Sequence, residues 1–115
     1  MTAVIVYGIA SCNSVKKVRL WLDQHAVAYA FHDYKKHGVP DLELQRWVAL
    51  KGWQIVLNRK GTTWRALDES VRASVVDDAS AIAVMLAHVS SIKRPVVTYG
   101  DLVMVGVDFA ALAEL

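Results

Sequence analysis

The chain has 115 residues, of which 55% are hydrophobic and 21% charged, a balance that suits one compact domain and excludes a disordered chain. Thirteen Lys and Arg against eleven Asp and Glu leave a net charge of +2, with both signs interspersed, so composition gives no general push toward nucleic acid or an anionic membrane. The single cysteine, Cys12, excludes an internal disulfide and a cysteine-based zinc site.

The run AVIVY at residues 3–7 is β-branched, apolar and short, as a buried strand would be, and Gly8 punctuates it. From about Asn13 the pattern turns helical. Val15, Val18 and Leu22 share one face, and Lys16, Lys17, Arg19 and Asp23 the other. Ser11 or Asn13 is the expected cap, its side-chain oxygen accepting from an exposed amide. VAYAFHDY at residues 27–34 then alternates like a second strand. The opening is therefore a βαβ unit, for which parallel pairing and a right-handed crossover are expected.

KKHGVPD is a polar break, with Asp41 expected to cap a helix over residues 42–50 that stops at Gly52. GWQIVLNRKGTTWRALDES suggests a turn at Gly61 between short helical pieces. Residues 69–88 read as one or two helices, and the nearly apolar SAIAVMLAHV is expected to be buried. VVTYG and LVMVG read as two strands joined through Gly100-Asp101 in a type II′ hairpin. VDFAALAEL closes the chain as a helix capped by Asp108. The order β-α-β, helical stretch, β-β-α is an α/β, thioredoxin-like layout. It is expected as a single domain over residues 1–115, with a mixed sheet and a helical insertion at approximately 41–90.

Residues 3–10 lack the preceding basic residues and the length of a secretory signal, and no segment approaches the ~20 apolar residues of a membrane span. A cytoplasmic setting is expected, in which a lone thiol stays free. Cys12 follows a buried strand and sits where the first helix begins, the end at which open α/β sheets place ligands. Free amides and the helix dipole favour a thiolate there. Lys16 lies one turn on, and Lys17 and Arg19 add positive charge. A lone cysteine is also commonly a small buried hydrophobe, so position by itself leaves both readings open.

The cysteine after the first strand, KRP before the third and VGVD before the last helix together resemble the arsenate reductase (ArsC)/Spx family. YGIASCNSVKKVRLWL, FHDY, LNRKGTTWRALDE and IKRPVV resemble its small YffB-like branch more specifically. The resemblance implies that Cys12 is the reactive cysteine and that Arg94 contacts the anion or covalent intermediate at its thiolate. It further implies that Pro95 forms a cis peptide beside the cysteine and that Arg59 is a second active-site arginine, with Lys60 adjacent. Guanidinium forks suit oxyanions and carboxylates, and their charge helps hold a thiolate. Ser11, Asn13 and Lys16 complete the candidate anion-binding set.

Two departures from the family pattern bear on function. Arsenate reductases of this type place a third arginine near the last strand, where this chain reads VMVGVD without a basic residue. Spx regulators carry a C-x-x-C switch, and here its fourth position is Val15. Any redox cycle must then borrow its resolving thiol from glutathione or a glutaredoxin, and glutathione's carboxylates would meet Arg59, Arg94 or Lys16. The leading expectation is a monothiol, glutathione-dependent oxidoreductase with no bound cofactor, acting as a monomer without nucleic acid or membrane. The alternative is a non-catalytic Spx-like protein that binds RNA polymerase or another protein, with Gly52 in the region serving partner binding in that branch. A genuine arsenate reductase ranks third.

The remaining motifs carry bland expectations. His25, His32, His37 and His88 show no ligand spacing, so no metal site is expected and packing or surface roles are the default. Asp77-Asp78 reads as a cap or solvated turn. Trp21, Trp47, Trp53 and Trp64 read as packing residues, with Trp64 a candidate for a cleft border. GTTWR lacks the spacing and lysine of a P-loop, and Arg65 ranks below Arg59 and Arg94 as an anion contact.

Overall fold

A computed structural model describes residues 3–115. The chain divides into two compact units, one of residues up to Gly38 together with Arg94–Leu115, the other Val39–Lys93.

The first unit holds a four-stranded mixed sheet in the order β2-β1-β3-β4. β1 (Val4–Gly8) pairs parallel with β2 (Tyr29–Asp33) and antiparallel with β3 (Val96–Tyr99), which pairs antiparallel with β4 (Leu102–Val105). α1 (Asn13–Gln24) bridges the parallel strands, as the βαβ pattern requires. Its face Val15, Val18 and Leu22 is fully buried against Val4, Val6, Val97 and Leu112. Each such side chain removed from water contributes about 1.5–3 kcal/mol, which fixes the helix on the sheet. α8 (Phe109–Leu112) closes the unit, and Asp108 caps it by accepting from the Ala111 amide at 3.0 Å. Gly100 has φ +58 in the β3-β4 turn, whereas Asp101 does not take a positive φ, as a type II′ hairpin requires. The element order and sheet make this an α/β, thioredoxin-like fold.

The second unit is helical: α3 (Asp41–Lys51), α4 (Trp53–Val56), α5 (Thr62–Ala66), α6 (Glu69–Ala73) and α7 (Asp78–Ala87), then a 3-10 turn at Val89–Ser91. α3 and α4 both pack on α7, and Leu44, Trp47, Val56, Ala81 and Met85 are fully buried. Gly52 ends α3 with φ +88, the left-handed stop that glycine favours. Asp77 caps α7 in a reciprocal capping box with Ser80. Among the described residues no helix is long and apolar enough to cross a membrane.

Several local expectations need correction. Neither Ser11 nor Asn13 caps α1, because Cys12 itself occupies the N-cap. Asp41 is the first helical residue of α3, behind Pro40 at its N-cap; there it is one of two acidic residues in the first turn, where the dipole favours negative charge. The second strand is shorter at both ends, and its closing residues turn into α2 (Tyr34–His37). Asp33 accepts from the Lys35 amide at 2.9 Å and so opens that helical turn. α7 is apolar without being wholly buried: Ala81, Val84 and Met85 are covered, but Leu86 is 36% exposed.

Candidate active site

Cys12 sits between β1 and α1 because of a close approach just before it. Val15 of α1 packs so near the end of β1 that a Cβ at Gly8 would lie 2.6 Å from its Cγ2. The tyrosine-to-cysteine connection then turns tightly, with the Cys12 amide donating to the Ile9 carbonyl at 3.1 Å and the Lys16 amide to the Cys12 carbonyl at 2.9 Å. Cys12 is extended at the N-cap, with φ −73 and ψ 127. Its thiol is free and half-buried. The first-turn amides therefore have no side-chain oxygen to satisfy them, and the sulfur occupies the place where a serine or aspartate oxygen would stand.

Burial by itself would push this thiol's pKa up. Four contributions outweigh it and hold the pKa below the ordinary value: the Val15 amide, the hydrogen bond from the Arg94 side chain, the Ser14 amide, and the Arg94 charge. All favour the thiolate, and two come from the backbone of the helix start. Arg94 precedes Pro95 through a cis peptide, and the Pro95 carbonyl accepts from the Gly106 amide at 2.8 Å. A polar thiolate site therefore lies at the carboxyl end of β1, where the sheet ends and α1 begins.

The other expected site residues are each placed within their own unit. Ser11 and Asn13 flank Cys12 on the exposed surface, and neither is among the groups that shift its thiol. Lys16 lines a surface hollow with Arg19, Leu20, Asp23 and Tyr29, and it too is absent from the groups acting on the sulfur. Arg19 turns onto β2, with its Nε donating to the Tyr29 hydroxyl at 3.1 Å. Arg59 belongs to the helical unit. Its guanidinium lies 5.4 Å from the Trp53 ring centroid and lines a hollow of about 240 Å³ with Asn58, Lys60 and Lys93. Arg65 is exposed, and its carbonyl accepts from Arg72.

The free amides expected at the start of the first helix act on the sulfur as anticipated, and they are those of Ser14 and Val15. Sequence reasoning passed over Tyr34. That side chain is 4% exposed, and its hydroxyl has no hydrogen-bond partner among the described residues. Burial pushes its pKa up, the nearby Tyr7 adds to this, and the Arg94 charge opposes both. The histidines behave as packing groups. His25 stacks on Trp21 at 3.8 Å, and the His32 Nε2 donates to the Gly38 carbonyl at 2.8 Å. Among the described residues no three His, Cys, Asp or Glu gather to hold a metal ion.

Comparison with known proteins agrees with this architecture. The solved structure of the YFFB protein is 51% identical, with a TM-score of 0.93 over 97% of each chain. An arsenate reductase (ArsC) related protein from Brucella melitensis is 45% identical, with a TM-score of 0.76 over 97% of this chain and 92% of that one. An uncharacterized protein of Haemophilus influenzae is 35% identical over 103 residues, 90% of either chain. The ArsC family matches residues 7–115, from within β1 through Cys12, Arg94 and the final helix, and the chain belongs to that family.

Proposed function

We propose that the protein is a monothiol oxidoreductase in which the Cys12 thiolate is the nucleophile and glutathione or a glutaredoxin supplies the resolving thiol. The observation that carries this reading is the convergence of the Arg94 side chain and two first-turn amides on one half-buried sulfur. An inert packing cysteine has no need of three groups that stabilise its charged form.

In the reaction, the Cys12 thiolate attacks one sulfur of a substrate disulfide R–S–S–R′. The S–S bond breaks, R′S⁻ departs and takes up a proton, and Cys12 is left in a mixed disulfide with R. A glutathione thiolate then attacks the sulfur of R and expels Cys12 as a thiolate. The released R–S–SG is reduced by a second glutathione or a glutaredoxin, so two thiols are oxidised for one disulfide reduced. Arg94 stabilises Cys12 both as attacking and as leaving group. Arg59 is proposed as a further carboxylate or anion contact on the family resemblance alone. The absence of a basic residue in VMVGVD disfavours arsenate, whose oxygens would each seek a cation. A monomer in a reducing cytoplasm, without a bound cofactor, suits this cycle.

The test is the rate of Cys12 alkylation by iodoacetamide across pH, beside free glutathione, followed by turnover of the mixed disulfide of hydroxyethanethiol and glutathione. An inflection well below that of glutathione, with turnover lost in Cys12→Ser, supports the reading. An inflection at or above that of glutathione removes the enzyme and leaves the partner-binding alternative.

A further inference from the structure

The strand order leaves β2 at one edge of the sheet, so among the described residues its outer row of backbone N–H and C=O groups pairs with no strand. Alongside this edge lie two open hollows, of about 440 and 240 Å³, that share Arg19, Asp23 and Tyr29. The shared residues set the two hollows side by side between α1 and β2, and together they are treated as one groove. Val27, Ala28 and Phe31 contribute apolar lining to the larger hollow, and Lys16 contributes an ammonium to the smaller.

Arg19 is held in place within the groove. Its Nε donates to the Tyr29 hydroxyl at 3.1 Å, and its guanidinium carbon lies 4.1 Å from the Phe31 ring centroid and 5.9 Å from that of Tyr29. Among the described residues only Nε is used in this way, and the Nη edge of the fork is left to receive a carboxylate. Asp23, one turn further along α1, lines the same groove. Among the described residues neither Arg19 nor Lys16 takes part in an ion pair. A guanidinium already oriented by two aromatic rings loses little freedom when it binds an anion.

We propose that this groove binds an acidic, extended peptide segment of a partner protein, which adds to β2 as a fifth strand and sets a carboxylate on Arg19 and Lys16. Two independent features point to that ligand. The open backbone edge is complementary to another strand, and the oriented guanidinium with the neighbouring ammonium is complementary to acidic side chains projecting from it. Side chains alternate along a strand, so a residue two positions from the carboxylate faces the same lining, which includes the apolar Val27 and Ala28. A nucleic acid offers no backbone ladder for β2, which a strand does. The site lies on the face of α1 that carries Lys16 and Arg19, neither of which acts on Cys12, and the proposal does not depend on the redox reading.

The experiment selects from a displayed random-peptide library on the full chain, then titrates the enriched peptides, made synthetically, against the ¹⁵N-labelled protein. Enriched sequences are expected to carry Asp or Glu next to β-branched residues. Amide shifts are expected to concentrate on β2 and the neighbouring turns of α1. Affinity should fall by roughly tenfold or more in R19E and in K16E, and also when proline replaces alternate peptide positions. Lys16 is exposed and makes no side-chain bond among the described residues, so K16E remains informative if R19E fails to fold. Failure to enrich any peptide, enrichment of basic ones, shifts away from β2, or affinities unchanged in K16E would each overturn the proposal. Equal shifts with a short oligonucleotide would do the same and assign the groove to nucleic acid.

Discussion

The Arg94 side chain hydrogen-bonds the sulfur of Cys12, joining the segment before β3 to the start of α1. A charge-assisted bond of this kind is worth about 1.5–3 kcal/mol, discounted here because the half-exposed thiol is partly screened by water. Arg94→Ala is expected to slow alkylation of Cys12 at neutral pH by roughly tenfold. Arg94→Lys should recover part of that loss, since it restores the charge without the planar fork. Stopped-flow alkylation of the two variants measures both effects. An unchanged rate in Arg94→Ala would leave the helix-start amides as the sole support of the thiolate.

The lowered pKa of Cys12 also makes stability depend on pH, with a definite sign. Burial opposes the shift, but the amides of Val15 and Ser14 and Arg94 prevail, so the folded thiol is the stronger acid. Between the folded pKa and the unfolded value of about 8.5, the unfolded chain therefore binds more protons and stability rises with pH. The contribution is complete above the unfolded value and disappears as pH falls through the folded one. Denaturant melts of the wild type and Cys12→Ser should diverge in favour of the wild type as pH rises through that window. A gap that is constant or that narrows would contradict the shift.

Gly8 has no positive φ, so its side-chain-free state serves close approach alone. A Cβ there would stand 2.6 Å from Cγ2 of Val15, which is fully buried. Gly8→Ala must push α1 from β1 or force Val15 off its rotamer, at about 1–3 kcal/mol. Because Val15 also supplies an amide that favours the thiolate, the variant should alkylate more slowly as well. In Gly8→Ala/Val15→Ala the clash is relieved, so the double variant should be less destabilised than the two single changes summed. Simple additivity in chemical denaturation would show that the two residues do not constrain each other.

Much of this architecture was legible because its signals are local. Gly52, Gly100 and Asp108 announced their turns and caps through backbone freedom or a side-chain oxygen in the right place. The directions of side chains were not local. Spacing alone put Lys16 and Arg19 near Cys12, but Tyr29 and Phe31, brought alongside by β2, draw Arg19 away. Composition marked the α7 segment as apolar without showing that Leu86 would remain uncovered. Tyr34 continued an alternating pattern, and the local cap from Asp33 overrode it. The meeting of Cys12 with Arg94 was foreshadowed only by the family resemblance, because no periodicity links positions so far apart in the chain.

The capping box at α7 predicts a separate, acid-side dependence. Ser80 donates to Asp77 through both its hydroxyl and its amide, and these bonds hold the Asp77 carboxyl below its usual range. Its contribution is therefore present above the unfolded pKa and lost as pH falls through the folded one. Asp77→Ala should lower the melting temperature at neutral pH. The difference from wild type should shrink on acidification, which thermal melts by circular dichroism would follow. A gap independent of pH would mean that the charged carboxylate is not what caps the helix.

Tyr34 carries the opposite alkaline signature. Its hydroxyl is buried without a hydrogen-bond partner among the described residues, so it was taken from water without replacement there. Removing such a group by Tyr34→Phe leaves the ring packing in place and should stabilise the fold by about 1 kcal/mol at neutral pH. Burial, with Tyr7 adding and Arg94 opposing, raises the folded pKa above that of the unfolded chain. The unfolded chain thus releases this proton first, near pH 10. Stability from the neutral hydroxyl is complete below that value and is lost as pH climbs toward the folded pKa. The wild type should accordingly weaken more steeply than Tyr34→Phe above about pH 10, and its ultraviolet titration should show one tyrosine ionising only with unfolding. Parallel alkaline melts, or a destabilised Tyr34→Phe at neutral pH, would instead mean that the hydroxyl is satisfied in solution.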